Sequence, residues 1–151
     1  MAAEYLANTQ QSVSLNAPVV FTASIPCNKG FVYHEDETGI FILRGIVNNP
    51  CASYATYQVV FNANISLPTG ATVVPIAVAI TTNGEQRPTS KAVFTPSAVG
   101  EFGNVTSTAI IQVPRGCCFN LSVDAVAPNT TDTPATSILV ENANFVVNRI
   151  A

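Results

Sequence analysis

The chain has 151 residues, of which 48% are hydrophobic and only 10% charged, with a net charge of −3. That length suits one domain with its own core, and the charged share falls well below the roughly 25% of an ordinary soluble domain. The six cations, Lys29, Arg44, Arg87, Lys91, Arg115 and Arg149, are scattered and outnumbered by nine acids, so no basic stripe exists for phosphates and nucleic acid is excluded as a partner.

In chain order, residues 1–16 carry Glu4 and lack both a basic start and a long apolar core. They read as an N-terminal arm or frayed attachment segment before a domain spanning 17–151, and not as a secretory signal. Strands are predicted over Val19–Ala23, Phe31–His34 and Ile40–Arg44. The clearest follows at Tyr57–Ile65, where Tyr57, Val59, Phe61, Ala63 and Ile65 alternate with Gln58, Val60, Asn62 and Asn64. One of its faces is apolar and the other mostly polar. Val73–Thr82 then runs into Asn83-Gly84, a tight-hairpin pair, and further strands are predicted over Lys91–Thr95, Val105–Val113, Cys118–Val126 and Ser137–Asn148. Pro68-Thr69-Gly70, Pro114-Arg115-Gly116 and Pro128-Asn129 supply the breaks. About nine or ten short strands at intervals of roughly 8–12 residues, with no amphipathic helix, are the pattern of an all-β sandwich or barrel.

Val73 to Ile80 is the longest apolar run and includes Pro75, which is far short of the roughly 20 residues of a membrane span. Membrane insertion is therefore not expected. In that run Val74, Ile76, Val78 and Ile80 face one way while Val73, Ala77 and Ala79 are also apolar, so both faces ask for cover, from a second subunit or from a loop of the same chain. The sequence reading assigns Tyr57, Val74, Ile76 and Val78 to a subunit interface and Phe61, Leu121 and Phe145 to the core.

Catalytic chemistry has little to stand on. His34 is the single histidine and falls in the charged turn formed with Glu35, Asp36 and Glu37, so a nucleophile–histidine arrangement would have to use it. The same turn lacks the ligand spacing of a calcium loop. No catalytic residue, metal or cofactor is assigned. Cys27, Cys51, Cys117 and Cys118 fit neither a zinc cage nor a CxxC motif. They read as small buried or half-buried thiols, or as two disulfides joining Cys117 and Cys118 to Cys27 and Cys51.

Between Thr38 and Asn64 the chain reads TGIFILRG, a Cys-containing loop, and then YQVVFNANI. Together with VPIAVAITTNG (74–84), VPRGCCFNLSV (113–123) and NFVVNRIA (144–151), this resembles C1q-like and tumour-necrosis-factor-like jelly rolls from about Ile40 onward. The absence of Trp and the Cys-containing loop depart from the animal members. The resemblance implies a two-sheet antiparallel jelly-roll sandwich and a homotrimer packed through an apolar face. The opening ANTQQSV and the ending VVNRIA resemble small proteins of tailed bacteriophages and Firmicutes, which serve as capsid decoration, fibre heads or spore-surface heads.

Two roles follow as expectations. The first is a non-catalytic structural subunit, a trimeric capsid decoration or head-fibre protein on the virion surface, assembled in the host cytoplasm with capsid or fibre proteins as partners. The second is an adhesin head of a tail fibre or a bacterial spore or cell surface, whose loops 28–38, 86–90 and 129–136 bind a bacterial-surface or mucosal glycan. Its candidate ligand residues are Lys29, His34, Arg87, Asn129 and Asp132.

Overall fold

The computed structural model describes residues 2–26, 30–129, 131 and 133–151. Twelve strands and one short 3₁₀ turn, Pro88–Ser90, make up its regular structure. The strands are β1 (Ala2–Ala7), β2 (Gln11–Ser14), β3 (Ala23–Ile25), β4 (Val32–His34), β5 (Phe41–Arg44), β6 (Tyr54–Ser66), β7 (Ile76–Thr82), β8 (Glu85–Gln86), β9 (Ala92–Phe94), β10 (Gly103–Pro114), β11 (Cys118–Val126) and β12 (Ser137–Arg149). Among the described residues no helix is long and apolar enough to cross a membrane.

The strands form two antiparallel sheets of six. Sheet A runs β10-β6-β12-β1-β3, with β2 also pairing β12; sheet B runs β4-β5-β11-β7-β8, with β9 also pairing β7. This is the two-layer all-β sandwich that the alternating pattern predicts. The inward residues of β6, from Tyr57 to Ile65, are fully buried and pack with Phe21, Phe41, Leu121 and Phe145 in one core. Phe145 lies at its centre, stacked on Phe21 at 5.8 Å and edge-on to Phe41 at 5.3 Å and to Phe61 at 6.2 Å. Rings of this size bring the largest apolar area per residue, and such edge and offset contacts add about 0.5–1.5 kcal/mol per pair.

The two glycines of TGIFILRG are set by close approach. A Cβ on Gly39 would collide with the backbone oxygen of Val19 and with Pro18, and one on Gly45 with the backbone oxygen of Pro114. The Asn83-Gly84 hairpin forms as predicted, with φ of 51° and 82° at the two positions. Those values suit a two-residue turn that follows the twist of its strands.

Residues 2–7 and 11–14 of the expected N-terminal arm are strands of sheet A. β1 lies between β12 and β3 with Ala2 opposite Asn148 and Ala7 opposite Ala143, and β2 pairs the first turn-side half of β12. Ala3, Tyr5, Ala7 and Val13 are buried in the core, which is what holds the segment in the sheet. The predicted strand over Val19–Ala23 is also displaced: Val19 and Phe21 are buried, but the strand proper is Ala23–Ile25. Because β1 and β12 run side by side, residues 2 and 149 lie at the same pole of the sandwich. The loops after Ala7, Ser66 and Val126 lie at the other.

Candidate functional site

Three of the four residues assigned from sequence to a subunit interface are buried within their own chain. Tyr57, Ile76 and Val78 point into the core of their own chain and are at most 2% exposed, while Val74 sits half-buried in the segment before β7. Pro75 delays the strand to Ile76, and the face shared by Ile76, Val78 and Ile80 is the inward one. The outward face of β7 is covered from within the chain. Ala77 is 1% and Ala79 0% exposed. Lys91, which precedes β9 on one side of β7, donates from Nζ to Ala127 O at 3.0 Å and to Asn129 Oδ1 at 2.9 Å beyond β11 on the other. Its methylene stem therefore crosses β7, and methyl-sized side chains leave room for it.

The candidate ligand residues do not converge. Lys29 and Asp132 lie outside the described residues, as does Cys27. His34 is part of the packing rather than a free loop side chain. Its ring stacks on Phe41 at 4.4 Å, meets Tyr5 edge-on at 4.9 Å, and hydrogen-bonds through Nε2 to Thr38 O at 2.8 Å. Arg87 is half-buried and caps the 3₁₀ turn through its backbone, its N–H donating to Ile80 O and its carbonyl accepting from Ser90 Oγ. Asn129 is held by Lys91. Cys51, Cys117 and Cys118 are exposed free thiols, neither buried nor paired with one another. All three lie at the pole of residues 2 and 149. Among the described residues no three metal-binding side chains cluster.

Two surfaces stand out instead. The first is the outer face of sheet A, built by its three longest strands side by side: β10, β6 and β12. Outward residues align in rows, with Thr108 beside Val60 and Val146, Ile110 beside Gln58 and Asn148, and Thr106 beside Asn62 and Asn144. Some of the polar members bond one another. Asn62 donates to Thr106 Oγ1 at 2.9 Å, and Asn104 donates to Asn62 Oδ1 at 3.0 Å and to Asn64 Oδ1 at 3.1 Å. Thr108 donates to Val59 O. Ile110 at 55%, Tyr54 at 49% and Ile25 at 60% are exposed apolar groups on this sheet. The charged residues of its strands are Glu4, Glu141 and Arg149, and Arg149 turns away to lie over the Phe31 ring at 4.3 Å. Glu141 lies beside Asn64 and Glu4 beside Val146 at the margin of the face, while its middle, from Thr108 through Val60 to Val146, carries no charge and part of its polar groups are bonded laterally, which lowers the cost of desolvating it.

The second surface is a hollow of about 260 Å³ on the outer face of sheet B, where Thr81, Ser122 and Asp124 meet Pro18 and Ile40. Ser122 Oγ donates to Asp124 Oδ1 at 2.8 Å. Burial pushes the Asp124 carboxyl above the ordinary aspartate value, while the neighbouring Ser122 and then Thr81 hydroxyls pull the other way. Thr81 Oγ1 is buried beside the Asp124 carboxyl without a well-formed hydrogen bond. Sequence reasoning finds Asp124 in no carboxylate motif and passes over Thr81 and Ser122. Only the register, with Ser122 opposite Thr81 and Asp124 opposite Ala79, brings them together.

The two antiparallel sheets, with the long paired strands β6, β10 and β12, make a C1q/TNF-like jelly roll. Among solved structures, the globular domain of zebrafish complement 1qA protein matches with a TM-score of 0.63 at 15% identity, covering 99% of this chain and 97% of that one. Eiger TNF from S. frugiperda matches with a TM-score of 0.65 at 12% identity, covering 100% and 92%. Murine APRIL gives 0.55 at 11% identity, covering 99% and 98%. No family model and no curated protein matches the sequence.

Proposed function

We propose that the chain is a non-catalytic structural subunit that assembles as a homotrimer through the outer face of sheet A and is displayed on the surface of a particle, the virion of a bacteriophage. The observation that carries the assembly is the sparsely charged face of β10, β6 and β12, with Val60, Val146 and Ile110 along it and Asn62 and Asn104 bonded to each other. Domains of this fold that associate in threes lend it support. The virion setting rests on the likeness of the opening and closing residues to small phage proteins. In this reading capsid or fibre proteins are the further partners, and the alternative setting is a bacterial spore or cell surface.

Light scattering tests the assembly: three chains of 15.8 kDa give about 47 kDa, and Val60→Glu or Ile110→Glu lowers the mass to that of one folded chain. A wild-type mass of 15.8 kDa overturns the reading. Co-sedimentation of the labelled chain with phage capsids tests the setting, and its failure to pellet with them removes the decoration role. A second reading, a saccharide-binding head, draws support from the polar hollow at Asp124 on the opposite face.

A further inference from the structure

The hollow at Asp124 forms where β11 changes partners. Up to Leu121 it pairs β5, with Leu121 opposite Phe41. Beyond it, the segment before Val20 takes over: Val19 N–H donates to Val123 O at 2.8 Å, Ala125 N–H donates to Ala17 O at 3.1 Å, and Pro18 bridges to Asp124. Gly39 is pressed against Val19 at the junction. The seam leaves Pro18 and Ile40 as an aliphatic wall beside the outward side chains of β11 and β7.

We infer that this hollow binds one ring of a neutral saccharide, through two neighbouring hydroxyls held at Asp124 and Ser122 and a C–H face laid on Pro18 and Ile40. The inference rests on the second reading of function and gives it a place and a chemistry. A carboxyl with one oxygen already engaged by Ser122 keeps lone pairs for O–H donors. Thr81 is only 4% exposed, and its hydroxyl lies at the floor of the hollow beside Asp124 without a well-formed hydrogen bond. A partly desolvated carboxyl beside a poorly bonded buried hydroxyl is less favourable without further hydrogen bonds, and a pair of ligand hydroxyls supplies them. Asn83 Oδ1 accepts from the Asn120 N–H and fixes the hairpin at the rim, so the polar edge of the hollow is formed in advance.

The dimensions and charge select the class of ligand. About 260 Å³ lies below the roughly 300–1,000 Å³ of sites for drug-sized molecules, which suits a single ring. Calcium requires about six to eight oxygen ligands, and here one carboxyl stands with two hydroxyls, so a neutral polyol fits better than a metal ion. The site also lies on the sheet opposite the proposed assembly face, which leaves it open in an assembled particle.

The test is a titration of the isotopically labelled full chain with the methyl glycosides of glucose, galactose, mannose and N-acetylglucosamine, followed by amide chemical shifts. At least one should bind with a millimolar dissociation constant and shift Asn120, Ser122, Asp124 and Thr81. Asp124→Ala should abolish the shifts, and Thr81→Val, which keeps the shape, should weaken binding about tenfold. Ser122→Ala serves as a second variant where either of these is poorly folded, a condition that the dispersion of the same spectrum reads out. Binding that maps to other residues, or that survives Asp124→Ala in a folded chain, overturns the site but leaves the saccharide-binding reading standing. No shift anywhere with any of the four overturns both.

Discussion

Replacing Tyr57 by Phe distinguishes a core from an interface at the position where sequence and structure part company. The Tyr57 hydroxyl donates to Arg44 O at 2.6 Å and also lies 3.1 Å from Phe31 O, within a fully buried environment. The substitution keeps the ring in the core and removes the donor, so the Arg44 and Phe31 carbonyls lose this partner at a cost of about 1–3 kcal/mol. For a domain of this size each kcal/mol is worth about 2–4 °C in Tm, so the expected fall is roughly 2–12 °C. Circular dichroism gives the Tm, and light scattering on the same sample gives the mass. A lower Tm with an unchanged mass is the expected pair of results. An unchanged Tm accompanied by loss of the oligomer would refute the placement of Tyr57 in the core.

Other substitutions probe the remaining features. Gly45→Ala drives a methyl group into the Pro114 and Cys117 carbonyls and should destabilise the chain by about 1–3 kcal/mol or more, read as a shift in denaturant midpoint. Lys91→Met keeps the stem over Ala77 and Ala79 and should be nearly neutral, whereas Lys91→Ala uncovers them and should lower the Tm. Asp124 has a folded pKa raised by burial, so the folded state binds its proton more readily than the unfolded state does. Its contribution to stability therefore declines as pH rises from the unfolded value to the folded one, and is least favourable above both. Asp124→Asn should remove that slope and raise stability near neutral pH, as denaturant titrations across acidic pH will show. Iodoacetamide should label Cys51, Cys117 and Cys118 in the folded chain without denaturant, as measured by mass spectrometry.

What the sequence made legible is what alternation encodes. Tyr57–Ile65, Val105–Val113 and Ser137–Asn148 each show period two over many residues, and each is a long strand of sheet A. β1 was not legible because its inward positions are Ala3, Tyr5 and Ala7, and two alanines carry too little hydrophobic contrast against Glu4 and Leu6. The cover of β7 was only half legible. Two apolar faces ask for burial by a second subunit or by the same chain, and the alternation cannot say that Ile76 and Val78 face the core while the alanines of the outer side are small enough for a lysine stem to cover them. Thr81, Ser122 and Asp124 carry no motif in the chain, since their meeting depends on a cross-strand register that the sequence does not spell out. The outer face of β6 was seen as mostly polar, yet its value as a surface depends on the Asn62–Asn104 bonds that only pairing with β10 creates.

The side-by-side course of β1 and β12 gives the molecule a direction. Any tether, fusion partner or neighbouring domain joined at either terminus departs from the same end as the exposed thiols. Reagents attached through Cys51 or Cys117 would therefore report on the base of an anchored copy, and insertions in the 67–75 segment would project from its crown.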